Sequence, residues 1–265
     1  SRFLACKVEK KMMTNNICNI SFKLNLNIFI NFMIKKINTK TIKLIKFHNL
    51  INYNLIYNNK AINRYKKDTF EISGPKAEKL EKLKKSIFNI KNCNLKKNAS
   101  NIVFADGNPK AKIMLIGEGP GSNEDQEGLP FVGRAGALLD KMLASISLNR
   151  KNVYITNVIN YRPPENRSPT EEEIARYLPY LEKHIEIIDP KIIVLLGSSA
   201  MNALIGREKA ISEVRGKWIE KTIGECKTSI IVTFHPAFLM RQPTQKKMAW
   251  IDLKMIREKK SKLKI

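Results

Sequence analysis

Before Gly74 and Pro75 the chain has neither glycine nor proline, and its first 70 residues hold only two acids, Glu9 and Asp68, against 14 Lys and Arg. This opening stretch is a compositional bias toward Asn, Lys and Ile that carries no chemical motif. Cysteine is scarce too. Cys6, Cys18, Cys93 and Cys226 form no close pair, which excludes a zinc ribbon or a ferredoxin-type cysteine run. At 265 residues a disulfide-rich secreted scaffold is also disfavoured. Long apolar runs are missing as well. Leu24–Ile34 is interrupted by Asn25, Asn27 and Asn31 and is too short to cross ~30 Å of hydrocarbon. No small-residue cleavage site follows it, so it does not read as a signal peptide. Residues 1–75 are expected to be a poorly ordered or weakly helical extension. An organellar transit peptide stays open as the alternative to a cytoplasmic protein, although Arg and Ser are few for such a leader.

Acids are in deficit overall: 24 Asp and Glu face 48 Lys and Arg, for +24. That excess points to an anionic partner, nucleic acid before membrane surface. Otherwise the composition is ordinary for a globular protein, with 43% hydrophobic and 27% charged residues.

From Lys76 onward, apolar strands and amphipathic helices alternate. Lys76–Ile90 carries Leu80, Leu83, Ile87 and Phe88 at helical spacing, and Val132–Ile146 carries Leu138, Leu139, Met142 and Leu143. Lys112–Ile116, Val153–Val158, Lys191–Leu196 and Ser229–Phe234 read as buried strands. Ser168, Pro169 and Glu171 predict a capped helix start, and Asp189-Pro190 its stop. A short helix is expected near Ser199–Leu204, and a closing one beyond Pro243. The pattern predicts an α/β domain over 76–265, three layers with a central mainly parallel sheet. In such sheets the binding crevice lies beyond the carboxyl ends of the strands. Three loops leave those ends: Gly117–Gly121, the segment from Asn157, and His235-Pro236-Ala237.

The first loop belongs to GEGPGSNEDQEGLPFVGRAG (Gly117–Gly136), which lacks a Gly-Lys-Ser/Thr and is neither a Walker A loop nor a dinucleotide fingerprint. Its carboxylates Glu118, Glu124 and Asp125 would repel a nucleotide phosphate. They suit a reaction with cationic character or an attacking water. The second, Ile155–Glu173, supplies Asn157, Arg162, Asn166 and Arg167. An Asn at a strand end can offer an acceptor and two donors to a base edge, or it can simply cap a turn. The third, Thr233–Lys247, joins His235 to a wedge-like Phe238-Leu239-Met240 and the cations Arg241, Lys246 and Lys247.

GEGPGSNEDQEGLPFVGRAGALL, ITNV, RPPENRSPTEEE, VLLG, RGKW (Arg215–Trp218) and TFHPA resemble, in order and spacing, the motifs of the family-4 uracil-DNA glycosylases. The resemblance covers roughly Cys93 to the last helix. It implies a monomeric DNA repair enzyme that flips uracil out of DNA and hydrolyses its N-glycosidic bond, with no membrane association. By motif position it implies that Phe131 stacks on uracil, Asn157 binds its N3–H and O4, and His235 donates to O2. Glu118, with the Gly119 backbone and Asn166, would hold the hydrolytic water, and Glu124 would shape the pocket against a thymine methyl. Arg162, Arg167, Phe238, Leu239, Arg241 and Lys246 would contact DNA.

One departure concerns the 4Fe–4S cluster that the family binds through four cysteines. Cys93 matches one ligand, but Ile90, Tyr161 and Tyr177 stand at the other three. One thiolate cannot hold a cluster, so no cofactor is expected, with both tyrosines filling the space. The alternative function on this fold is a noncatalytic or product-trapping uracil- or nucleic-acid-binding module. The trapping subgroup carries a basic insertion after its first motif, and none lies between Gly121 and Phe131.

Overall fold

The computed structural model of the chain describes residues 74–91 and 93–265. The expectation for the extension lies, for residues 1–73, outside the described residues. Six strands form one sheet in the order β1-β3-β2-β4-β6-β5. They are β1 (Asp106–Gly107), β2 (Ile113–Gly117), β3 (Tyr154–Asn157), β4 (Ile192–Leu196), β5 (Trp218–Ile223) and β6 (Cys226–Thr233). The inner four are parallel, and β1 and β5 add antiparallel edges.

Every residue of β2, β3 and β4 is buried, as expected of parallel strands covered on both faces. Alternation sorts them between two cores. Met114 and Ile116 face one cluster with Leu83, Ile87, Leu181 and Ile185. Ile113 and Leu115 face the other with Leu139, Leu143, Leu253 and Ile256. The first layer therefore includes α1 (Lys76–Phe88), α2 (Asn94–Asn98), α5 (Glu171–Ile188) and α6 (Ser198–Leu204). The second includes α4 (Arg134–Ala144) and α9 (Lys246–Leu263). Short helices α3 (Ser122–Glu127), α7 (Ile211–Val214) and α8 (Pro236–Arg241) lie in the connections. Among the described residues no helix is long and apolar enough to cross a membrane.

The three-layer α/β architecture is the expected one. Two local expectations change. Helix α5 is capped by Thr170 rather than Ser168: Thr170 Oγ1 accepts from Glu173 N at 3.2 Å, and Glu173 Oε2 accepts from Thr170 N at 2.8 Å. The box thus sits two residues later, where a hydroxyl and a glutamate are also three apart. The β5–β6 hairpin was not anticipated, because β5 is an edge strand whose central residues Glu220, Lys221 and Thr222 are exposed. It has no apolar run to betray it.

Candidate active site

The connections leaving β2, β3 and β6 converge at the carboxyl ends of the parallel strands and wall a cavity of about 200 Å³. That is several times the ~30 Å³ share of one liquid water, so the space suits a ligand ring together with water. Glu118, Gly119, Glu124, Phe131, Asn157, Asn166, Arg167 and His235 all line it.

Asn157 ends β3 and is 3% exposed, and its Oδ1 has no hydrogen-bond partner. A buried amide oxygen left unpaired costs about 1–3 kcal/mol unless something supplies a donor. Gly117 makes room for it. A Cβ there would lie 2.5 Å from Asn157 Oδ1 and 2.6 Å from the Phe131 ring.

Phe131 is buried with φ at +55°, a left-handed conformation uncommon for a bulky residue. Such strain, of order 1–3 kcal/mol, persists only where the surroundings hold it. Here two groups do so. Glu124 accepts from Gly121 N at 3.1 Å, Val132 N at 3.0 Å and Gly133 N at 2.9 Å. Arg150 donates to the carbonyls of Pro130 and Phe131 while paired with Asp106 at 2.7 Å and Asp140 at 2.8 Å. Glu124 therefore shapes the pocket by stapling its loop.

His235 is the N-cap of α8, and its Nδ1 accepts from Ala237 N at 3.1 Å. Burial, the largest influence, lowers its pKa against the pull of Glu118 and Glu124. A neutral ring that accepts at Nδ1 carries its proton at Nε2. The imidazole lies 5.5 Å from the Phe131 ring, tilted by 32°. Glu118, also in the lining, accepts through Oε2 from Ser199 Oγ at 2.5 Å. Asn166, at φ +54°, accepts from Arg162 Nε at 2.8 Å.

Arg162, Phe238, Leu239, Arg241 and Lys246 stand outside the cavity lining. Leu239 is a correction: at 1% exposure it belongs to the core between α4 and α9, because α8 turns its apolar face inward, so it is not an exposed wedge. Phe238 packs on Phe234 at 5.0 Å. Arg241 and Lys246 are exposed.

Sequence reasoning missed Ser199, Arg150 and Asp252. Buried Asp252 on α9 accepts from Thr233 Oγ1 at 2.7 Å and from Arg215 Nη2 at 2.5 Å, which ties the strand that delivers His235 to the last helix. No short motif marks these long-range partners.

The family model described as Uracil DNA glycosylase superfamily matches residues 104–254, more than half of the chain. The chain belongs to the uracil-DNA glycosylase superfamily. It is similar to the type-4 uracil-DNA glycosylase of Sulfurisphaera tokodaii, 43% identical over 186 residues that cover 68% of this chain and 84% of the relative. The type-4 enzyme of Archaeoglobus fulgidus is 41% identical over 185 residues, covering 68% and 93%. That of Thermotoga maritima is 45% identical over 150 residues, covering 56% and 77%.

The residues at the cluster positions of this uracil-DNA glycosylase superfamily member do not fit a 4Fe–4S group. Cys93 Sγ lies 3.2 Å from Tyr177 Oη, and both are buried. Tyr161 shares the same core, with a hydroxyl that has no partner, and Ile90 packs at its border. Burial raises the Tyr161 pKa to about 12, and Tyr177 shifts upward for the same reason. Neutral phenols packed against one thiol are not the four thiolates that such a cluster requires.

Proposed function

We propose that this chain is a DNA repair glycosylase that flips uracil out of DNA and hydrolyses its N-glycosidic bond, leaving an abasic site. The observation that carries the reading is the Asn157 amide, whose buried Oδ1 has no hydrogen-bond partner, in a residue that lines one cavity with Phe131 and His235. A base inside a duplex is beyond reach of such a cavity, and extruding it costs a few kcal/mol. Phe131 then stacks on the ring, Asn157 Oδ1 accepts N3–H, and its amide donates to O4.

As the C1′–N1 bond breaks, its electron pair moves onto the uracil and the sugar takes on oxocarbenium character. His235 Nε2–H donates to O2 as charge gathers there. A donor so placed in a dry site is worth about 2.7–4 kcal/mol, or ~10²–10³ in rate. Water held by Glu118, the Gly119 backbone and Asn166 attacks C1′ and passes its proton to the Glu118 carboxylate. Glu124, through its loop, sets the wall that faces C5 and bars a thymine methyl. Arg162, Arg167, Phe238, Arg241 and Lys246 contact DNA around the cavity mouth, and phosphate contacts of this kind weaken with salt.

The enzyme works as a monomer in the cytoplasm, without a cluster and without a membrane. Two assays test the reading. Free uracil should be released from a short uracil-containing oligonucleotide and no thymine from its matched partner; DNA binding without release would make the chain a binding module. Purified protein should be colourless and iron-free, and a broad visible absorbance with stoichiometric iron would overturn the cluster-free assignment.

A further inference from the structure

A second concavity, of about 220 Å³, lies between α4 and α9 beneath α8. Its walls are Leu138 and Met142 of α4, Leu239 of α8 and Leu253 of α9. At its lip stands Trp250, an indole left 40% exposed on a helix rich in lysine. Lys141 and Lys246, both exposed, also border it.

The groove and the cavity described above are built on two shared elements. Helix α4 places Ala135 in the wall of the uracil cavity and Leu138, about one turn later, in the wall of the groove. Helix α8 begins beside His235, and Leu239 follows four residues on, roughly 6 Å along the axis. An apolar slot with an aromatic lip takes a flat π-face, and cations at its border take phosphates. Stacking of this kind tolerates any base. The borders Lys141 and Lys246 complement an anionic strand and nothing apolar alone.

We propose that this groove is a second nucleobase subsite, which receives an unpaired base flanking the extruded uracil, stacked on Trp250, with strand phosphates on Lys141 and Lys246. The assignment rests on the glycosylase reading and adds a substrate class to it: single-stranded or locally opened DNA. A paired neighbour stays in the duplex stack and cannot enter.

The full chain holds two tryptophans, Trp218 and Trp250, so Trp218→Phe leaves Trp250 as the sole indole reporter. Titration with a uracil-free single-stranded oligonucleotide, with binding followed independently by anisotropy, should quench Trp250 emission. A closed duplex hairpin should quench it less. Trp250→Ala should raise the half-saturating concentration of single-stranded uracil DNA on the order of tenfold, while the single-turnover maximum is kept and Trp250→Phe restores affinity. Bound DNA with unmoved Trp250 emission, or an unchanged half-saturating concentration in Trp250→Ala, overturns the proposal. So does emission that shifts with protein concentration alone, which would assign the groove to a second copy of the chain. Quenching in a chain that releases no uracil would keep the subsite and sink the glycosylase reading; uracil release with a silent Trp250 would do the reverse.

Discussion

Asn157 and Tyr161 lie four residues apart, and each buries a polar side-chain atom with no hydrogen-bond partner. Their surroundings are opposite. Asn157 lines a cavity of about 200 Å³ together with Glu118, Glu124, His235 and Phe131. Tyr161 Oη lies in the apolar core beneath α5, with Cys93 and Tyr177. Both orphans carry a desolvation cost of about 1–3 kcal/mol. At the rim a ligand edge can supply the missing partner. In the core nothing replaces it, and the hydroxyl is what remains where a thiolate would stand in the family pattern. An unsatisfied polar atom marks a binding site only when space and complementary groups come with it.

The two histidines of the domain sharpen the same contrast. His235 at the rim and His184 in the core are both held neutral by burial, but only His235 lines the cavity. His235→Ala is therefore expected to lower single-turnover excision by about 10²–10³-fold, the worth of a donor aimed at developing charge, with a much smaller loss of DNA affinity. A kinetic comparison at saturating protein checks this. Near-normal excision would remove His235 from the chemistry and leave it as the cap of α8.

His184 acts on stability instead. Its Nε2 lies 2.8 Å from Tyr154 Oη, its ring stacks on Phe104 at 4.6 Å, and burial lowers its pKa to about 3. The unfolded chain takes up a proton on this group near pH 6.5, while the folded chain does not until about pH 3. Stability should then be complete above pH 6.5 and fall by about 1.4 kcal/mol per unit below it from this group alone. Denaturant midpoints at pH 7 and pH 5 should show a loss of about 2 kcal/mol that is absent from His184→Gln. An identical acid loss in both proteins would contradict it.

The smallest rim effect expected is that of Ser199, which touches the reaction only through Glu118. Ser199→Ala should lower the single-turnover maximum on the order of tenfold, as for one hydrogen bond to a charged group, without raising the half-saturating DNA concentration. Ser199→Thr should restore it. A change in affinity with the maximum kept would show that Ser199 serves DNA binding rather than the orientation of Glu118.

Much of this was legible in the sequence. The buried strands announce themselves as apolar runs, and the glycine-rich loop, Asn157 and His235 sit at their carboxyl ends, so topology alone brings them to one rim. The illegible parts share one cause, contact between residues far apart in the chain. Ser199 lies 81 residues from Glu118, and Arg150 lies 19 from the carbonyl of Phe131 that it grips. Leu239 was misread for a related reason. An apolar triplet after His235 looks like a wedge until the helix it forms turns one member into the core.

The most direct test of the contrast is a paired measurement of excision and thermal unfolding on Asn157→Ala and Tyr161→Phe. Asn157→Ala should lose about 10²-fold or more in single-turnover excision while unfolding near the parent temperature, since the amide serves a ligand. Tyr161→Phe should keep excision and unfold at or above the parent temperature, since it removes a buried hydroxyl that nothing satisfies. The reverse pattern, with Asn157→Ala active but unstable and Tyr161→Phe inactive, would contradict the account and move the working site from the rim to the core.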